Sequence, residues 1–227
     1  MNNPTDSTSH DEHCRVNRLC IEATSAASAS ISHEIMNILA IINESAGLLE
    51  DLSLMAAPDE GIPAERITTT AAAIMKQVSR ANQIMKWFNK LAHCGDAPRA
   101  RTDIAGTIQL VVALANRQAA MKKLSVSTGD LSTAEIESDL LCLVSLLYMV
   151  LRRLYETVGT EGEISIAAKP EGSDITVSFT AHHRNEQVNL NSFPNHREKT
   201  LAAHLKANFS HNGEALQLTL PPTLPQD

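Results

Sequence analysis

Aromatic residues are scarce in this sequence, at 3% of its 227 positions. A chain with so few rings lacks the stacking platform on which single-stranded nucleic acid binds. Positive charge is also in short supply, because 26 acidic residues outnumber 19 basic ones and give a net charge of −7. A nucleic-acid partner is therefore not expected. The hydrophobic core must be built from Ala, Leu, Ile, Val and Met, which favours helices.

The sequence also lacks paired cysteines and long apolar runs. Its four cysteines are dispersed: Cys14, Cys20, Cys94 and Cys142. This spacing indicates reduced thiols in a cytosolic protein, and with His10 and His13 it matches no common zinc finger. No run approaches 18 consecutive apolar residues, and the N-terminus lacks a signal-peptide core. We therefore expect a cytoplasmic protein with no membrane span, no metal site and no cofactor site.

A proline-free segment over 30–52 carries a stripe at alternating steps of four and three residues. The stripe consists of Ile31, Ile35, Ile38, Ile42, Ser45, Leu49 and Leu52. This spacing predicts a helix with a bundle seam. His33 lies about 200° from both Ile31 and Ile35 at 100° per residue, so it is predicted to face away from the seam. Asn37 shares this outward face one turn later.

An outward imidazole next to an acid and an amide points to phosphoryl chemistry. A neutral imidazole is a good nucleophile near neutral pH and can form a covalent intermediate with phosphorus. Glu34 is predicted to hold the other ring nitrogen of His33 as N–H, and Asn37 to orient a water or a phosphoryl oxygen. A plain surface histidine is the alternative. A zinc protease H-E-x-x-H helix is excluded, because Asn37 stands where the second ligand must be.

Small residues around His33 would let another protein approach. The predicted docking surface contains Ala26, Ala29, Ser30, Asn37 and Ala40.

The first 94 residues predict a tail followed by a helical hairpin. Residues 1–13 are polar and unpatterned, which predicts a disordered tail. Within 14–94, helices are predicted over about 15–55 and 64–93, joined by a short loop rich in Pro and Gly. The second helix carries its own seam: Ile67, Ala71, Ile74, Val78, Ala81, Met85, Phe88 and Ala92. One hairpin cannot bury both sides of its seam, so we expect a homodimeric four-helix bundle, with packing on the rest of the same chain as the alternative.

A second domain is predicted over 103–222, after a linker at 95–102 and before a tail at 223–227. Asp103 would cap its first helix. The predicted elements are a helix at 104–122, a strand at 124–128, a helix from 135 or 138 to 154, strands at 163–168 and 174–180, a helix at 199–209 and a strand at 214–220.

The sequence around His33 carries a family resemblance. Residues 32–39 read S-H-E-I-M-N-I-L, which resembles the H-box of bacterial sensor histidine kinases. In that family the His accepts the phosphoryl group, the acidic neighbour supports it, and the Thr or Asn after two spacers positions water for dephosphorylation. The resemblance implies these roles for His33, Glu34 and Asn37. Ile38 replaces the usual Pro of the motif.

The element order of the second domain resembles the ATP-binding domain of the same family, but the nucleotide motifs are replaced. Tyr148 and Arg152 stand where paired Asn residues would hold magnesium and phosphate. Residues 180–184 replace a D-x-G-x-G motif, and residues 195–198 replace a Gly-rich lid. A γ-phosphate needs Mg²⁺ held by oxygen ligands and backbone N–H groups freed by glycines, so no autokinase activity is expected.

Four side chains lie at or near these motifs and need an interpretation of their own. Arg152 could still bind phosphate by itself. Arg152 and Arg153 are interpreted as the solvated or salt-bridged end of a helix, and His182 and His183 as loop surface.

A kept H-box beside a lost ATP site resembles the dimeric histidine phosphotransferases of bacterial phosphorelays. The resemblance implies an α+β protein, in which a long antiparallel hairpin forms a dimeric four-helix bundle ahead of a degenerate histidine-kinase-type α/β sandwich. It implies transfer through His33 between receiver-domain aspartates, with Mg²⁺ supplied by the receiver. Response regulators, and possibly a sensor kinase, would be the partners. The alternatives are a soluble histidine kinase with a divergent ATP site and a non-enzymatic adaptor or inhibitor of kinases or response regulators.

Overall fold

Two long helices make up the first part of the chain. Helix α1 spans Pro4–Met55 and α2 spans Ala64–Ala92, and they pack together as an antiparallel hairpin. The computed structural model describes residues 4–56, 61–131, 134–184, 186–212 and 215–223, with side chains from residue 11 onward.

Only some residues of the two predicted stripes form the contact between α1 and α2 in the single chain. Ile31 and Ile38 of α1 are buried. The residues of α2 on the matching face are buried or half-buried: Thr70, Ile74, Gln77, Ala81, Ile84 and Phe88. Ile67, Val78 and Met85, which the sequence also placed in the seam, are exposed in the single chain. The hairpin is thus confirmed, whereas the four-helix bundle stays a prediction.

The N-terminal part of α1 differs from the prediction. The helix begins at Pro4, so the tail expected over 1–13 is wrong for residues 4–13, while residues 1–3 lie outside the described residues. Pro is compatible with the first turn of a helix, because its missing N–H would have no partner there. Further along, Val16, Cys20 and Ala27 are buried in the core that the helix shares with the second domain. This part of α1 therefore covers the second domain instead of extending a bundle.

Helix α1 passes one test for a membrane span. Over Asp11–Met55 it is long and apolar enough to cross a membrane by length and composition alone, a test that core helices of soluble proteins also pass. On one face, its apolar residues from Val16 to Ile38 are buried against α2 and the second domain, whereas Ile21 and Met36 are exposed.

The second domain consists of a sheet packed against three helices. The helices are α3 (Ile104–Met121), α4 (Leu140–Val158) and α5 (His196–His204). The strands are β1 (Ala100–Asp103), β2 (Ser125–Leu131), β3 (Glu135–Ser138), β4 (Gly162–Glu171), β5 (Asp174–His183), β6 (Glu186–Gln187), β7 (Asn208–Asn212) and β8 (Ala215–Leu220). The α+β class is confirmed.

The main sheet has the order β2-β4-β5-β8-β7, with β6 added beside β5. Its β2–β4 pair is parallel and the other pairs are antiparallel. Alternate residues of the central strands, such as Ile164, Val177 and Leu218, are fully buried, and α3, α4 and α5 pack against the sheet. A separate two-stranded sheet pairs β1 with β3.

Helix caps fix the starts of the helices in this domain. The Asp103 side chain accepts a hydrogen bond from the Gly106 amide at 2.8 Å, as its predicted capping role requires. The Asp139 side chain does the same for the Cys142 amide at 2.9 Å, so α4 starts after β3 and not at residue 135 or 138.

The C-terminal elements differ from the prediction in one place. The helix predicted over 199–209 ends at His204, and β7 occupies 208–212. Lys206 adopts a φ of 53°, in the left-handed region that ends a helix. Of the tail predicted at 223–227, Thr223 forms a parallel bridge with Glu137, and residues 224–227 lie outside the described residues.

Candidate functional site

His33 lies on the outer face of α1, where the sequence placed it. Its neighbours Ile31 and Ile38 anchor the opposite face of the helix in the interior, while His33 and Asn37 are exposed. Within the described part of the chain, the His33 ring has no hydrogen bond or ion pair. The imidazole is therefore open to a reagent from outside, and the Asn37 amide stands one turn further along the same face.

Glu34 does not have the position that the sequence predicted. It is buried and its Oε1 accepts a hydrogen bond from Nη2 of Arg80 at 2.8 Å. Adjacent residues of a helix point about 100° apart, so Glu34 faces α2 while His33 faces solvent. The prediction that Glu34 holds the second nitrogen of His33 is wrong for this conformation. Glu34 instead links α1 to α2 through Arg80, at the position next to His33 in the sequence.

The predicted docking surface is partly exposed. Ala29, Asn37 and Ala40 are exposed, Ala26 is half-buried and Ser30 is buried. Ser30 lies one turn before Glu34 on the flank of α1 that faces the other helices, which explains its burial. Two apolar side chains that the predicted docking surface did not include are also exposed on α1. They are Met36 and Leu39, which stand on either side of Asn37 in the sequence.

A groove lies between the hairpin and the second domain, next to Glu34 of α1. It has a volume of about 410 Å³ and is lined by Glu34, Arg80 and Trp87 of the hairpin and by Gln109 and Asn116 of α3. A protein that contacts α1 near Glu34 can therefore reach α3 as well.

Side chains at the positions of the replaced nucleotide motifs contact one another. Tyr148 is 1% exposed, and the Arg152 guanidinium lies 5.9 Å from the centre of its ring. Burial raises the pKa of Tyr148, so the phenol stays neutral. The family resemblance expects a magnesium-binding Asn at position 148, and this chain has a neutral, buried Tyr there.

Arg153 forms the salt bridge that the sequence left as one interpretation. Its Nη1 donates to Oε2 of Glu198 at 2.8 Å, and its Nη2 donates to the Ser192 carbonyl at 2.6 Å. Glu198 and Asn195 also form a capping box at the start of α5, at the position of the expected Gly-rich lid. His182 and His183 lie in β5 and not in a loop, because the strand runs two residues beyond its apolar core.

The sequence has no match among protein-family models, and the comparison with curated proteins finds none. Solved structures do resemble it. The catalytic domain of histidine kinase ThkA aligns over 57% of this chain and 100% of its own, with 11% identity and a TM-score of 0.47. A bacterial phosphotransferase aligns over 88% of this chain and 95% of its own, with 13% identity and a TM-score of 0.49. The Acinetobacter baumannii histidine kinase AdeS aligns over 84% and 98%, with 12% identity and a TM-score of 0.46.

These similarities are to histidine kinases and to a phosphotransferase. All three TM-scores lie below 0.5 and the identities do not exceed 13%, so these structures assign no function to this chain.

Proposed function

We propose that this protein is a histidine phosphotransferase that relays phosphoryl groups between receiver-domain aspartates in two-component signalling. One observation carries the proposal: His33 is exposed and unbonded within the described residues, with Asn37 beside it, on a helix whose opposite side is anchored in the interior. A rigid element that holds a free imidazole outward leaves the surrounding space to a second protein.

The proposed reaction needs little from this chain beyond position. An unprotonated ring nitrogen of His33 attacks the phosphorus of an aspartyl phosphate, a P–N bond forms, and the P–O bond to the aspartyl carboxylate breaks. The reverse attack by the carboxylate of a second receiver completes the relay. Asn37 would orient a phosphoryl oxygen, and the receiver would supply the Mg²⁺ that neutralises charge on the transferred group.

The second domain is proposed to be a degenerate ATP-binding domain without kinase activity. This part of the proposal is supported by the buried, neutral Tyr148 and by the capping box of Asn195 and Glu198 at the expected nucleotide positions. We further propose a cytoplasmic homodimer, supported by the exposed apolar side chains of α2. Response regulators, and a sensor kinase at the start of the relay, are the proposed partners.

The test is transfer from a phosphorylated receiver. We expect label on the full-length protein that is lost in acid, and no label on a His33→Ala variant. His93→Ala is the matched control, because His93 is also an exposed histidine of the hairpin segment but lies far along the chain from the H-box. Transfer that survives His33→Ala, or that fails equally in both variants, would disprove the proposal.

Asn37→Ala separates transfer from water-mediated dephosphorylation. If Asn37 positions the attacking water, its removal should prolong the lifetime of the phosphorylated receiver while His33 is still labelled. Equal loss of both activities would instead assign Asn37 to the transfer step itself.

A non-enzymatic adaptor is the second candidate, favoured by the pairing of Glu34 with Arg80. That pairing leaves His33 without the acidic partner that the H-box resemblance implies. An adaptor predicts that His33→Ala binds its partner and acts normally, whereas Ala40→Asp abolishes both. A divergent kinase, the remaining alternative, predicts label on His33 from γ-labelled ATP.

A further inference from the structure

A cluster of metal-binding side chains lies where α1, α4 and α5 meet, away from His33. The Asp139 carboxylate, the Cys142 thiol and the His204 imidazole each place a ligand atom within 4.8 Å of the other two. His204 Nε2 and Asp139 Oδ2 are 3.1 Å apart. Asp139 and Cys142 begin α4, and His204 is the last residue of α5.

A second thiol reaches this cluster from α1. Cys20 is 4% exposed and Cys142 is fully buried, and the Cys20 side chain lies close to Cys142, Asp139 and His204. The cluster thus gathers two sulfur atoms, one imidazole nitrogen and one carboxylate oxygen from three helices. Neither thiol is in a disulfide.

The cluster is open to solvent on one side. Asp139 and His204 line a cavity of about 590 Å³, which His13 also lines, and each of the two side chains is 24% exposed. The ring of His13 lies 5.9 Å from that of His204, edge to face. Charges around the cavity are mixed, since Glu12, Arg99 and Lys206 all line it. A small cation can therefore reach Asp139 and His204 from this cavity, and the Cys142 thiol lies within 4.8 Å of both.

We propose that Cys20, Asp139, Cys142 and His204 bind one zinc ion. Zinc takes four ligands in tetrahedral geometry and accepts thiolate, imidazole and carboxylate together, at about 2.3 Å to sulfur and about 2.0–2.2 Å to nitrogen or oxygen. Such bonds place ligand atoms roughly 3.2–3.8 Å apart, so side-chain shifts of about 1 Å bring Asp139, Cys142 and His204, now within 4.8 Å of one another, to this geometry. Cys20 would move in as the fourth ligand. Hard cations such as Mg²⁺ and Ca²⁺ do not choose sulfur ligands.

Zinc at this place would join the hairpin to the second domain. Cys20 belongs to the part of α1 that covers the domain, and the other three ligands belong to α4 and α5. The ion would therefore hold α1 against both helices and fix how His33 is presented relative to α3. The sequence expectation of no metal site is revised, because residues 20, 139, 142 and 204 converge only through the tertiary fold.

Cobalt is the probe, since Co²⁺ replaces zinc and gives colour. Titration of the reduced full-length protein with Co²⁺ should produce a thiolate-to-cobalt charge-transfer band and visible bands of tetrahedral intensity. These should saturate at one equivalent and disappear when Zn²⁺ is added. Metal analysis of protein purified without chelator should give about one zinc per chain.

Two variants test the ligands. Asp139→Asn keeps the cap of α4, because Asn is as good an N-cap as Asp, and Cys142→Ser removes one sulfur atom. Each should weaken Co²⁺ binding at least tenfold, whereas Cys94→Ser and His93→Gln should bind like the unaltered protein. Circular dichroism of each variant verifies that it is folded.

Three results would overturn the proposal. They are the absence of a charge-transfer band in the unaltered protein, equal cobalt affinity in Asp139→Asn or Cys142→Ser, and equal loss in the two control variants. Each would mean that His204 and Asp139 form only an ion pair between α5 and α4.

Discussion

Arg80 stabilises the carboxylate that lies next to the proposed phosphoacceptor in sequence. The Glu34 side chain is 10% exposed and that of Arg80 is 53% exposed, so the carboxylate depends on this pairing more than the guanidinium does. A buried carboxylate whose hydrogen-bond donor is removed costs free energy, because water cannot replace the donor fully.

Removal of the guanidinium should therefore destabilise the hairpin. We expect Arg80→Ala to lower the free energy of unfolding by about 1–3 kcal/mol, measured by urea denaturation. Arg66→Ala, an exposed arginine of the same helix, should change it by less than about 0.5 kcal/mol. Equal effects of the two substitutions would mean that Glu34 is solvated and that the pair contributes nothing.

Helical periodicity gave the orientation of His33 and also places Glu34 beside the apolar stripe, about 60° from Ile31, but it could not identify the partner of Glu34. The offset of His33 from Ile31 and Ile35 is a local property of one helix, and the exposed ring matches it. The partner of Glu34 lies 46 residues away on another helix, and Arg80 has no place in the apolar stripe of α2. An acid beside the apolar stripe of α1 is a sequence signal that a partner is needed, but it does not say which cation supplies it.

Glu198 ties the start of α5 to α4. It is 1% exposed and accepts hydrogen bonds from the Asn195 amide at 2.6 Å and from Arg153 at 2.8 Å. Where the kinase resemblance called for a glycine-rich lid, the chain therefore has a fixed helix N-terminus.

Loss of this carboxylate should be costly for the whole domain. We expect Glu198→Ala to lower the free energy of unfolding by about 3 kcal/mol, because it removes the acceptor of Arg153 Nη1 and of the Asn195 amide and leaves the partly buried guanidinium without its counter-charge. Thermal and urea unfolding measure this, with Glu156→Ala as the control, an exposed acid on α4. A loss below about 1 kcal/mol would contradict a structural role for the pair.

Elements with a strong apolar period were predicted closely, and polar elements were not. Helix α3 ends one residue from its predicted bound, and the strands β4, β5 and β8 contain or match their predicted cores. The short strands β1 and β3 lie outside the main sheet, and β7 is a polar edge strand. Each of the three has at most one large apolar side chain, so none of them carries the run of alternating apolar residues that marks a strand in the sequence. Their pairing is set by the fold around them.

The side of the hairpin turned away from the second domain is apolar and uncovered in the single chain. Leu39 is 52% exposed, Ile67 44% and Met85 43%. At 100° per residue, Met85 lies about 100° from Ile84 and about 200° from Trp87, both of which face α3 across the groove. In antiparallel helices, the flanks that carry Leu39 and Met85 lie on the same side of the pair. Two such surfaces, related by a two-fold axis, would complete a four-helix bundle.

A charge at the centre of this surface should separate the proposed dimer. We expect the unaltered protein to sediment as a dimer of the 24.6 kDa chain, and Val78→Glu to shift it to the monomer with at least a ~100-fold weaker association, because the carboxylate would be buried without a partner. Met121→Glu, at an exposed apolar position of α3, should leave the dimer intact. If the unaltered protein is monomeric at micromolar concentration, the exposed stripe of α2 does not mediate self-association. In that case His33 must be presented by one hairpin alone, and the docking surface would have to include the flank that the dimer was proposed to cover.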